Sequence, residues 1–232
     1  MKIQKLKLYH FPATRSARVR WALHETVGDD FEVQNVQLYS GEQYREDYLL
    51  KNPNHNVPLL EITMEDGSVH RMLESVAMVE WLVDSFPEKQ LSPPLGLSRE
   101  RADYLQMLHF GGTWMDMMLW QVRIHEHVLP SDQSDSKTIY RYRQKFGDEV
   151  EPQLKERLGR TSFICGDEFS GADIVIGHNV TWARSYNLCQ DNIFREYLSK
   201  LSKRPAFMKA FEDARSFTPE VPNKDRMTKF SG

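Results

Sequence analysis

The chain has 232 residues, a formal net charge of -3, 40% hydrophobic residues and 27% charged residues. This length suits one or two domains, and the near-balanced charge gives no electrostatic reason to expect a nucleic-acid partner. No segment approaches the ~20 apolar residues of a membrane span, and the first residues lack the apolar run of a signal peptide. We therefore expect a cytoplasmic protein with neither a membrane nor a nucleic-acid partner.

The first part of the chain predicts a mixed α/β unit. Residues 5–9 and 31–38 alternate polar and apolar side chains as strands do, and a helix is predicted between them over 15–27. A strand, helix, strand unit of this kind implies that the two strands pair in parallel. A short helix is predicted next, over 44–50.

A β-hairpin is predicted to follow. The segments VPLLEIT and SVHRML lie on either side of Asp66-Gly67. An Asp-Gly pair between alternating segments favours a tight hairpin turn. A helix over 75–85 then completes the order βαβ, helix, ββα, and we place the first domain at residues 1–86.

The rest of the chain is predicted to be helical. The stretch FPEKQLSPPLG clusters three prolines and indicates a linker, residues 87–97, after which no strand pattern is visible. We therefore expect an all-α domain over 98–232. Its predicted helices cover residues 98–128, 137–158, 172–185, 194–201 and 205–216, with a polar tail after Pro219.

The sequence predicts neither a disulfide framework nor a metal site. Cys165 and Cys189 are the only cysteines, and neither has the spacing of a zinc ligand, so we expect two reduced, partly buried thiols. His125 and His127 lie two residues apart, which points them to different faces of a helix, whereas a helical zinc pair needs a spacing of four.

The stretch LYHFPATRSARVRW, residues 8–21, combines hydroxyl groups with the start of a helix. Thr14 lies where a donor would gain from the positive end of the helix dipole. Ser16 is also consistent with a simple first-turn hydroxyl, and Tyr9 with an aromatic residue packed into the core at the end of a strand.

Two further pairs of residues open secondary-structure elements. Val57-Pro58 begins a strand, where a proline that cannot donate to the ladder is tolerated. Ser75 is most simply the N-cap of the helix that follows it. The alternative is that this helix start binds a small carboxylate while Glu74 pairs with an ammonium group.

Two patterns in the helical part have mainly structural interpretations. Ser170-Gly-Ala-Asp173 precedes an apolar run and predicts a capping box. The large, soft side chains around Trp114, Met115 and Met118 indicate helical core, although they would also suit an adaptable apolar pocket.

Taken together, these segments resemble a cytosolic glutathione S-transferase of a bacterial or fungal type. NPNHNVPLL is similar to the family segment that ends in a cis-proline, and LESVAMVEWL is similar to its glutamate-serine motif. The order and spacing of the two motifs carry the resemblance. It implies an α/β thioredoxin-like N-terminal domain followed by an all-α C-terminal domain, and a homodimer.

The resemblance also implies a glutathione-binding site. In the family, the backbone at Val57 pairs with the cysteinyl part of glutathione, and Glu74 and Ser75 hold its γ-glutamyl end. His55 departs from the glycine that relatives often carry, so Gln43 and Asn56 become the candidates for the glycine end. Arg15 and Pro58 complete the predicted glutathione-binding set.

The implied mechanism is activation of the glutathione thiol, which ionises near pH ~8.5 when free. A positioned hydroxyl and a helix N-terminus would favour the thiolate, which then attacks a small hydrophobic electrophile. We prefer Thr14 as this hydroxyl, with Tyr9 second and Ser16 third. The resemblance places the electrophile against residues of the helical domain: His109, Trp114, Met115 and Met118.

Two other functions remain open at this point. One is a glutathione-dependent peroxidase or thiol reductase that uses the same site. The other is a non-catalytic interaction module, since a fold does not fix a function. The loop that carries Thr14 and Ser16, called the reactive loop below, contains no cysteine. Its absence argues against the cysteine-based omega and beta classes of the family.

Overall fold

A computed structural model of the chain describes residues 2–216, with the side chains of Arg215 and Ser216 left out. The polar tail predicted after Pro219 lies outside the described residues. By its internal contacts the chain forms two compact units. The first contains residues 2–82 together with 205–216, and the second contains Val83–Arg204.

The first unit is built on a four-stranded mixed sheet. Its strands are β1 (Ile3–His10), β2 (Glu32–Asn35), β3 (Leu59–Met64) and β4 (Val69–Met72), in the spatial order β2-β1-β3-β4. β1 and β2 are parallel, while β3 is antiparallel to both β1 and β4. The predicted parallel pair and the predicted hairpin are therefore confirmed.

Five helices belong wholly or largely to the first unit. They are α1 (Ser16–Thr26), α2 (Glu46–Leu49), α3 (Ser75–Ser85), α10 (Pro205–Ala210) and α11 (Glu212–Ser216). Strand β2 ends earlier than predicted, because residues 38–40 form a 3₁₀ turn that leads into Gly41, whose φ of 77° is left-handed. The helix predicted over 205–216 is interrupted at Phe211.

The end of the described chain packs against α1. Trp21, fully buried, meets the rings of Phe207 and Phe211 edge-on, with centroids 5.0 and 6.0 Å away. Edge-to-face contacts of this kind add to the free energy gained by burying aromatic surface. The packing thus joins residues 205–216 to the first unit. The sequence predicted them as part of an all-α domain over 98–232.

The second unit is helical, as expected. Its helices are α4 (Arg99–Phe110), α5 (Asp116–Arg123), α6 (Ser136–Lys145), α7 (Glu151–Leu158), α8 (Gly171–Arg184) and α9 (Asn192–Leu201). π-helical turns connect α4 to α5 at Gly111–Met115 and α6 to α7 at Phe146–Val150. The two long helices predicted over 98–128 and 137–158 are therefore continuous helical segments.

Gly111 lies where α8 comes closest to the first of these π-helical turns. A Cβ atom there would lie 2.8 Å from Cγ1 of Val175 and 3.0 Å from Cδ1 of Ile176. Asn179 Nδ2 donates to the carbonyl oxygen of Gly111 at 2.6 Å. The absent side chain lets two helices approach closely, and the buried amide satisfies a carbonyl group of the turn.

The predicted linker packs with the second unit. Arg101 donates through both terminal nitrogens to Asp84, at 2.8 and 2.6 Å, and Ser92 Oγ donates to the same carboxylate at 2.9 Å. Gly171 N donates to Leu91 O at 2.7 Å. Residues of the 87–97 segment are thus fixed by hydrogen bonds within this unit.

Each helix within residues 2–216 falls short of the length and apolar character that a membrane crossing requires.

Candidate active site

Three segments that the sequence analysis singled out meet at one edge of the sheet. Tyr9 lies opposite Leu59 in the antiparallel β1–β3 pair, so the loop after β1 lies beside the residues that precede β3. Leu60 lies opposite Met72 in the antiparallel β3–β4 pair, which brings the residues after β4 to the same edge. The edge carries residues 11–16, Val57-Pro58 and Glu74-Ser75.

The loop between β1 and α1 places two hydroxyl groups side by side. Thr14 Oγ1 donates to Phe11 O at 2.7 Å and lies 2.8 Å from Ser16 Oγ. Ala13 has a φ of 55°, a left-handed conformation that is uncommon for a residue other than glycine. Thr14 and Arg15 are half-buried, whereas Ser16, the first residue of α1, is fully buried. Of the two hydroxyl groups, that of Thr14 is the more accessible.

Tyr9 occupies a different environment. It belongs to a buried apolar cluster with Phe11, Val36, Tyr48 and other residues, and its ring meets that of Tyr48 edge-on at 5.9 Å. Burial raises the pKa of the Tyr9 phenol, and the negative charge of Glu61 adds to the effect. Tyr9 is therefore an aromatic residue packed into the core at the end of β1.

The loop before β3 is held by a buried asparagine. The Val57-Pro58 peptide bond is cis. Asn52, fully buried, donates from Nδ2 to the backbone oxygen of Asn56 at 2.8 Å and to its side-chain oxygen at 3.0 Å. Tyr48 donates to the same backbone oxygen at 2.6 Å. The side-chain oxygen of Asn56 is thus already used within the loop.

Gln43 is the other predicted contact to the glycine end of glutathione, and His55 lies in the loop next to Asn56. His55 has a φ of 43°, a left-handed conformation that glycine adopts more readily than other residues. Its ring lies 5.0 Å from that of Tyr44. Gln43 is buried, and within residues 2–216 its Oε1 atom has no hydrogen-bond partner. Gln43 is therefore better placed than Asn56 to use its side chain for a ligand.

The glutamate-serine pair lies at the start of α3. Ser75 is the first helical residue, and Met78 N donates to Glu74 O at 3.0 Å, so Glu74 occupies the N-cap position. The expectation that Ser75 is the N-cap was therefore wrong by one residue. Ser75 is buried, and the side chain of Glu74 is exposed. An exposed carboxylate beside a helix N-terminus suits a ligand that carries both an ammonium and a carboxylate group.

Burial divides the four residues predicted to contact the electrophile. Met115 and Met118 are fully buried in the core of the second unit. His109 and Trp114 are exposed, and Lys145 Nζ lies over the Trp114 ring, 4.9 Å from its centroid. The structure does not bring these four side chains to one surface of the helical unit.

The cysteines match the prediction of reduced, partly buried thiols. Cys189 is buried and Cys165 half-buried, and both are free. Burial raises the pKa of Cys165 to about 12 and also raises that of Cys189. Both side chains remain thiols at neutral pH, so a reactive thiolate would have to come from a ligand.

An open groove of about 740 Å³ lies in the second unit between α4 and the chain after α7. Arg99, Asp103, Arg157 and Cys165 are among its lining residues. Arg157 donates to both carboxylate oxygens of Asp103, at 2.8 and 2.7 Å. None of the predicted glutathione-binding residues lines this groove.

His125 and His127, whose spacing argues against a zinc pair, make other contacts. His125 Nδ1 accepts a hydrogen bond from Asp135 N at 3.2 Å, and the His127 ring stacks on Tyr186 at 6.1 Å. In the part of the chain that the structure describes, no cluster of three or more His, Cys, Asp or Glu side chains is arranged to hold a metal ion.

Sequence reasoning missed His10, which lies beside the hydroxyl pair, and Asp213, which lies beside His10. His10, fully buried at the end of β1, places Nδ1 2.7 Å from Ser16 Oγ and Nε2 2.9 Å from Asp213 Oδ2. Arg20 Nη1 donates to the same Asp213 oxygen at 2.7 Å. His10 lies in the stretch LYHFPATRSARVRW, but no local sequence pattern connects it with Asp213, 203 positions later in the chain.

The fold and the edge site define a class of protein: a thioredoxin-like α/β unit followed by a helical region. The first unit has the mixed four-stranded sheet, the cis-proline before β3 and a helix start at residues 11–16 and at Glu74-Ser75. The comparisons with known proteins agree with this class. The family model "Glutathione S-transferase, N-terminal domain" matches residues 4–84.

Relatives of known name extend the match to most of the chain. Glutathione S-transferase GstA of Escherichia coli O157:H7 is 27% identical over 206 residues, covering 86% of this chain and 94% of the relative. Glutathione S-transferase 1 of Dianthus caryophyllus is 30% identical over 182 residues, 76% of each protein. A crystal structure of a glutathione transferase from Methylococcus capsulatus has a TM-score of 0.76 at 26% identity, covering 91% of this chain and 100% of the other. The chain belongs to the glutathione S-transferase family.

Proposed function

We propose that the protein is a glutathione transferase that activates the thiol of glutathione for attack on a small hydrophobic electrophile. The observation that carries this proposal is the meeting of three segments at one edge of the sheet. They supply an accessible hydroxyl at Thr14, the backbone at Val57 and a helix start with an exposed carboxylate at Glu74. The homodimer and the cytoplasmic location expected from the family belong to the same proposal.

Each segment has a chemical role in this proposal. Glu74 pairs with the ammonium of the γ-glutamyl group, and the N-terminus of α3, with Ser75, receives its carboxylate. Val57 offers backbone groups to the cysteinyl part, and the buried Gln43 amide faces the glycine end. Arg15 adds positive charge near an anionic tripeptide. Glutathione is thus a substrate, and the site calls for no metal ion.

Thr14 acts on the sulfur. A free thiol has a pKa of about 8.5, so roughly a few per cent is thiolate at neutral pH. A hydroxyl that donates to the sulfur, at the positive end of α1, stabilises the thiolate over the thiol. More thiolate is then available to attack an electrophile at neutral pH.

Glutathione is expected to stabilise the folded protein. A ligand that binds only the native state at 100 times its Kd adds about 2.7 kcal/mol to the free energy of unfolding. Differential scanning fluorimetry should therefore show a rise in Tm with glutathione, and a mixture of its three free amino acids serves as the control. An unchanged Tm at saturating glutathione would contradict the proposed site.

Glu74→Gln should weaken glutathione binding by about 10- to 100-fold, because a hydrogen bond to a charged group contributes roughly 1.5–3 kcal/mol. The change keeps the shape of the side chain and removes only its charge. Isothermal titration calorimetry gives the Kd. Glu65→Gln, at the exposed hairpin between β3 and β4, is the matched control and should bind as the wild type does. Equal affinities in both variants would remove Glu74 from the site.

Three assays with the same enzyme preparation separate the candidate activities. Conjugation of glutathione to an aryl halide is the expected reaction. Turnover of hydroperoxides or disulfides without conjugation would instead identify a glutathione-dependent peroxidase or reductase. Glutathione binding with no turnover in any assay would identify an interaction module.

A further inference from the structure

The hydroxyl pair of the reactive loop continues inward to a histidine and a carboxylate. Thr14 Oγ1 lies 2.8 Å from Ser16 Oγ, and Ser16 Oγ lies 2.7 Å from His10 Nδ1. On its other side, His10 Nε2 lies 2.9 Å from Asp213 Oδ2. The half-buried Thr14 is the outer end of this chain of hydrogen bonds, and both His10 and Ser16 are closed to solvent.

The charges around Asp213 determine the hydrogen positions. Burial works against ionisation of Asp213, but the hydrogen bond from His10 and the positive charge of Arg20 hold its pKa below the ordinary value. The ionised carboxylate only accepts, so His10 Nε2 carries a hydrogen and donates it. In the neutral imidazole Nδ1 then accepts, and Ser16 donates to it. Ser16 Oγ accepts in turn from Phe11 N at 3.2 Å. The single hydrogen of the Thr14 hydroxyl has two acceptors within reach, Phe11 O at 2.7 Å and Ser16 Oγ at 2.8 Å.

When the Thr14 hydrogen turns from Phe11 O to Ser16 Oγ, both hydroxyl hydrogens point away from the ligand and toward His10. Thr14 Oγ1 therefore presents lone pairs outward, where a thiol could donate to it. Ser16 has no exposed surface, which excludes direct attack by its hydroxyl on a substrate. The chain of hydrogen bonds is suited to moving a proton inward rather than to forming a covalent intermediate.

We propose that His10, oriented by Asp213, takes the proton of bound glutathione through the hydroxyl groups of Thr14 and Ser16. This inference rests on the proposed function, because it requires glutathione sulfur at Thr14. His10 and Asp213 do not touch the ligand, so both are positioning residues that act through Thr14.

The transfer balances at each atom. The S–H bond breaks and its proton bonds to Thr14 Oγ1, the former Thr14 proton bonds to Ser16 Oγ, and the former Ser16 proton bonds to His10 Nδ1. The products are a thiolate and an imidazolium, and the net charge of the site is unchanged. Each hydroxyl now points the other way: Ser16 donates to Thr14, and Thr14 donates to the thiolate. The same movement thus creates the thiolate and the hydrogen bond that stabilises it.

The imidazolium has a charged partner in place. Among the described residues, α11 places the Asp213 carboxylate on His10, and α1 supplies Arg20, which donates to the same carboxylate. A carboxylate on the far nitrogen of an imidazole fixes its tautomer and stabilises its protonated form. The arrangement of hydroxyl, imidazole and carboxylate follows that logic, with the glutathione sulfur as the proton donor.

A structural role alone would also account for these contacts, since they attach α11 to β1. His10→Asn and Asp213→Asn separate the two roles, because an amide still forms hydrogen bonds but does not accept the proton or stabilise an imidazolium. Glu212→Gln is the matched control. Glu212 precedes Asp213 on α11 and pairs with Arg20 at 2.8 Å, but its side chain is 63% exposed.

The first measurement is the ultraviolet absorbance of glutathione thiolate bound to each folded variant, titrated against pH, with the Kd from calorimetry. We expect wild-type affinity in all three variants. In His10→Asn and Asp213→Asn we expect about tenfold less thiolate at pH 7, which corresponds to about 1.4 kcal/mol less stabilisation of the thiolate. Glu212→Gln should match the wild type. Wild-type titration curves in both His10→Asn and Asp213→Asn would overturn the relay.

The second measurement uses the wild-type protein and does not depend on the variants folding. Glutathione is titrated calorimetrically in two buffers of different ionisation enthalpy, which counts the protons released per molecule bound. The relay keeps the thiol proton on His10, so thiolate should form with almost no proton release. Release of one proton for each thiolate formed would overturn the proposal.

These outcomes distinguish the relay from the function on which it rests. Absence of glutathione binding in the wild type would overturn both. Binding with no more thiolate at pH 7 than free glutathione has would overturn thiol activation and the relay, but not the binding site. A raised thiolate fraction at pH 7 that persists in both variants would overturn the relay alone.

Discussion

Asp173→Ala is expected to lower the free energy of unfolding by about 3–5 kcal/mol, more than the ~0.5–2 kcal/mol of a lost helix cap. Asp173 is fully buried. Its Oδ1 atom accepts from Ile164 N and from the Tyr197 hydroxyl, both at 2.8 Å, and Oδ2 accepts from Ser170 N at 2.9 Å. Alanine removes the acceptor of four buried donors, the fourth being Ser170 Oγ at 3.0 Å from Oδ2, and a buried donor left unpaired costs about 1–3 kcal/mol.

Denaturant unfolding followed by circular dichroism measures this loss. Ser170→Ala is the graded control, because it removes one 3.0 Å contact to the same carboxylate and should cost about 0.5–1.5 kcal/mol. Glutathione affinity of the folded Asp173→Ala protein should be unchanged, since Asp173 belongs to the second unit and the predicted glutathione-binding residues to the first. A variant with wild-type stability that no longer bound glutathione would show that Asp173 had been misplaced.

Thr14→Val is expected to lower kcat for conjugation by about 100-fold, the lower end of the loss when a donor to a developing anion is removed. Valine keeps the branched shape and removes the hydroxyl, so the bound sulfur loses its hydrogen-bond donor and its route to Ser16. Kd for glutathione should change little, because the tripeptide keeps its contacts at Glu74 and Val57. Steady-state kinetics and thiolate absorbance measure the two quantities separately.

Two further variants make the comparison specific. Thr14→Ser should restore most of the activity, since it returns a hydroxyl to the same position. Tyr9→Phe should keep wild-type activity, because Tyr9 lies in the buried cluster with Tyr48. Loss of thiolate in Tyr9→Phe together with a normal thiol pKa in Thr14→Val would reverse the assignment of the two hydroxyls.

The sequence identified the family because its motifs are short and ordered along the chain. Val57-Pro58 precedes a strand and Glu74-Ser75 precedes a helix, and both positions are readable from local patterns. Their proximity followed from strand pairing, which the sequence predicted through the Asp66-Gly67 hairpin and which the register confirms. The cis state of Val57-Pro58 was not readable from the residues themselves, because most X-Pro bonds are trans and the surrounding loop decides the isomer.

The helical unit shows the limit of periodicity. Spacings of three and four residues predicted a continuous helix through Met115 and Met118, and it is present. The same spacing does not separate a core face from the wall of a pocket, since large apolar side chains suit both. Burial distinguishes a core residue from a residue that a ligand could contact. Both methionines are closed to solvent, while Trp114 is 38% exposed.

The sequence by itself determined the elements, the capping box and the hairpin, because each depends on residues within a few positions of one another. Tertiary structure alone decided that residues 205–216 pack on α1 and that Asp213 reaches His10. His10 and Asp213 are 203 positions apart, and such contacts depend on how the intervening helices pack. Local propensity carries no information about such pairs, so the environment of the reactive loop could be known only once the chain had folded.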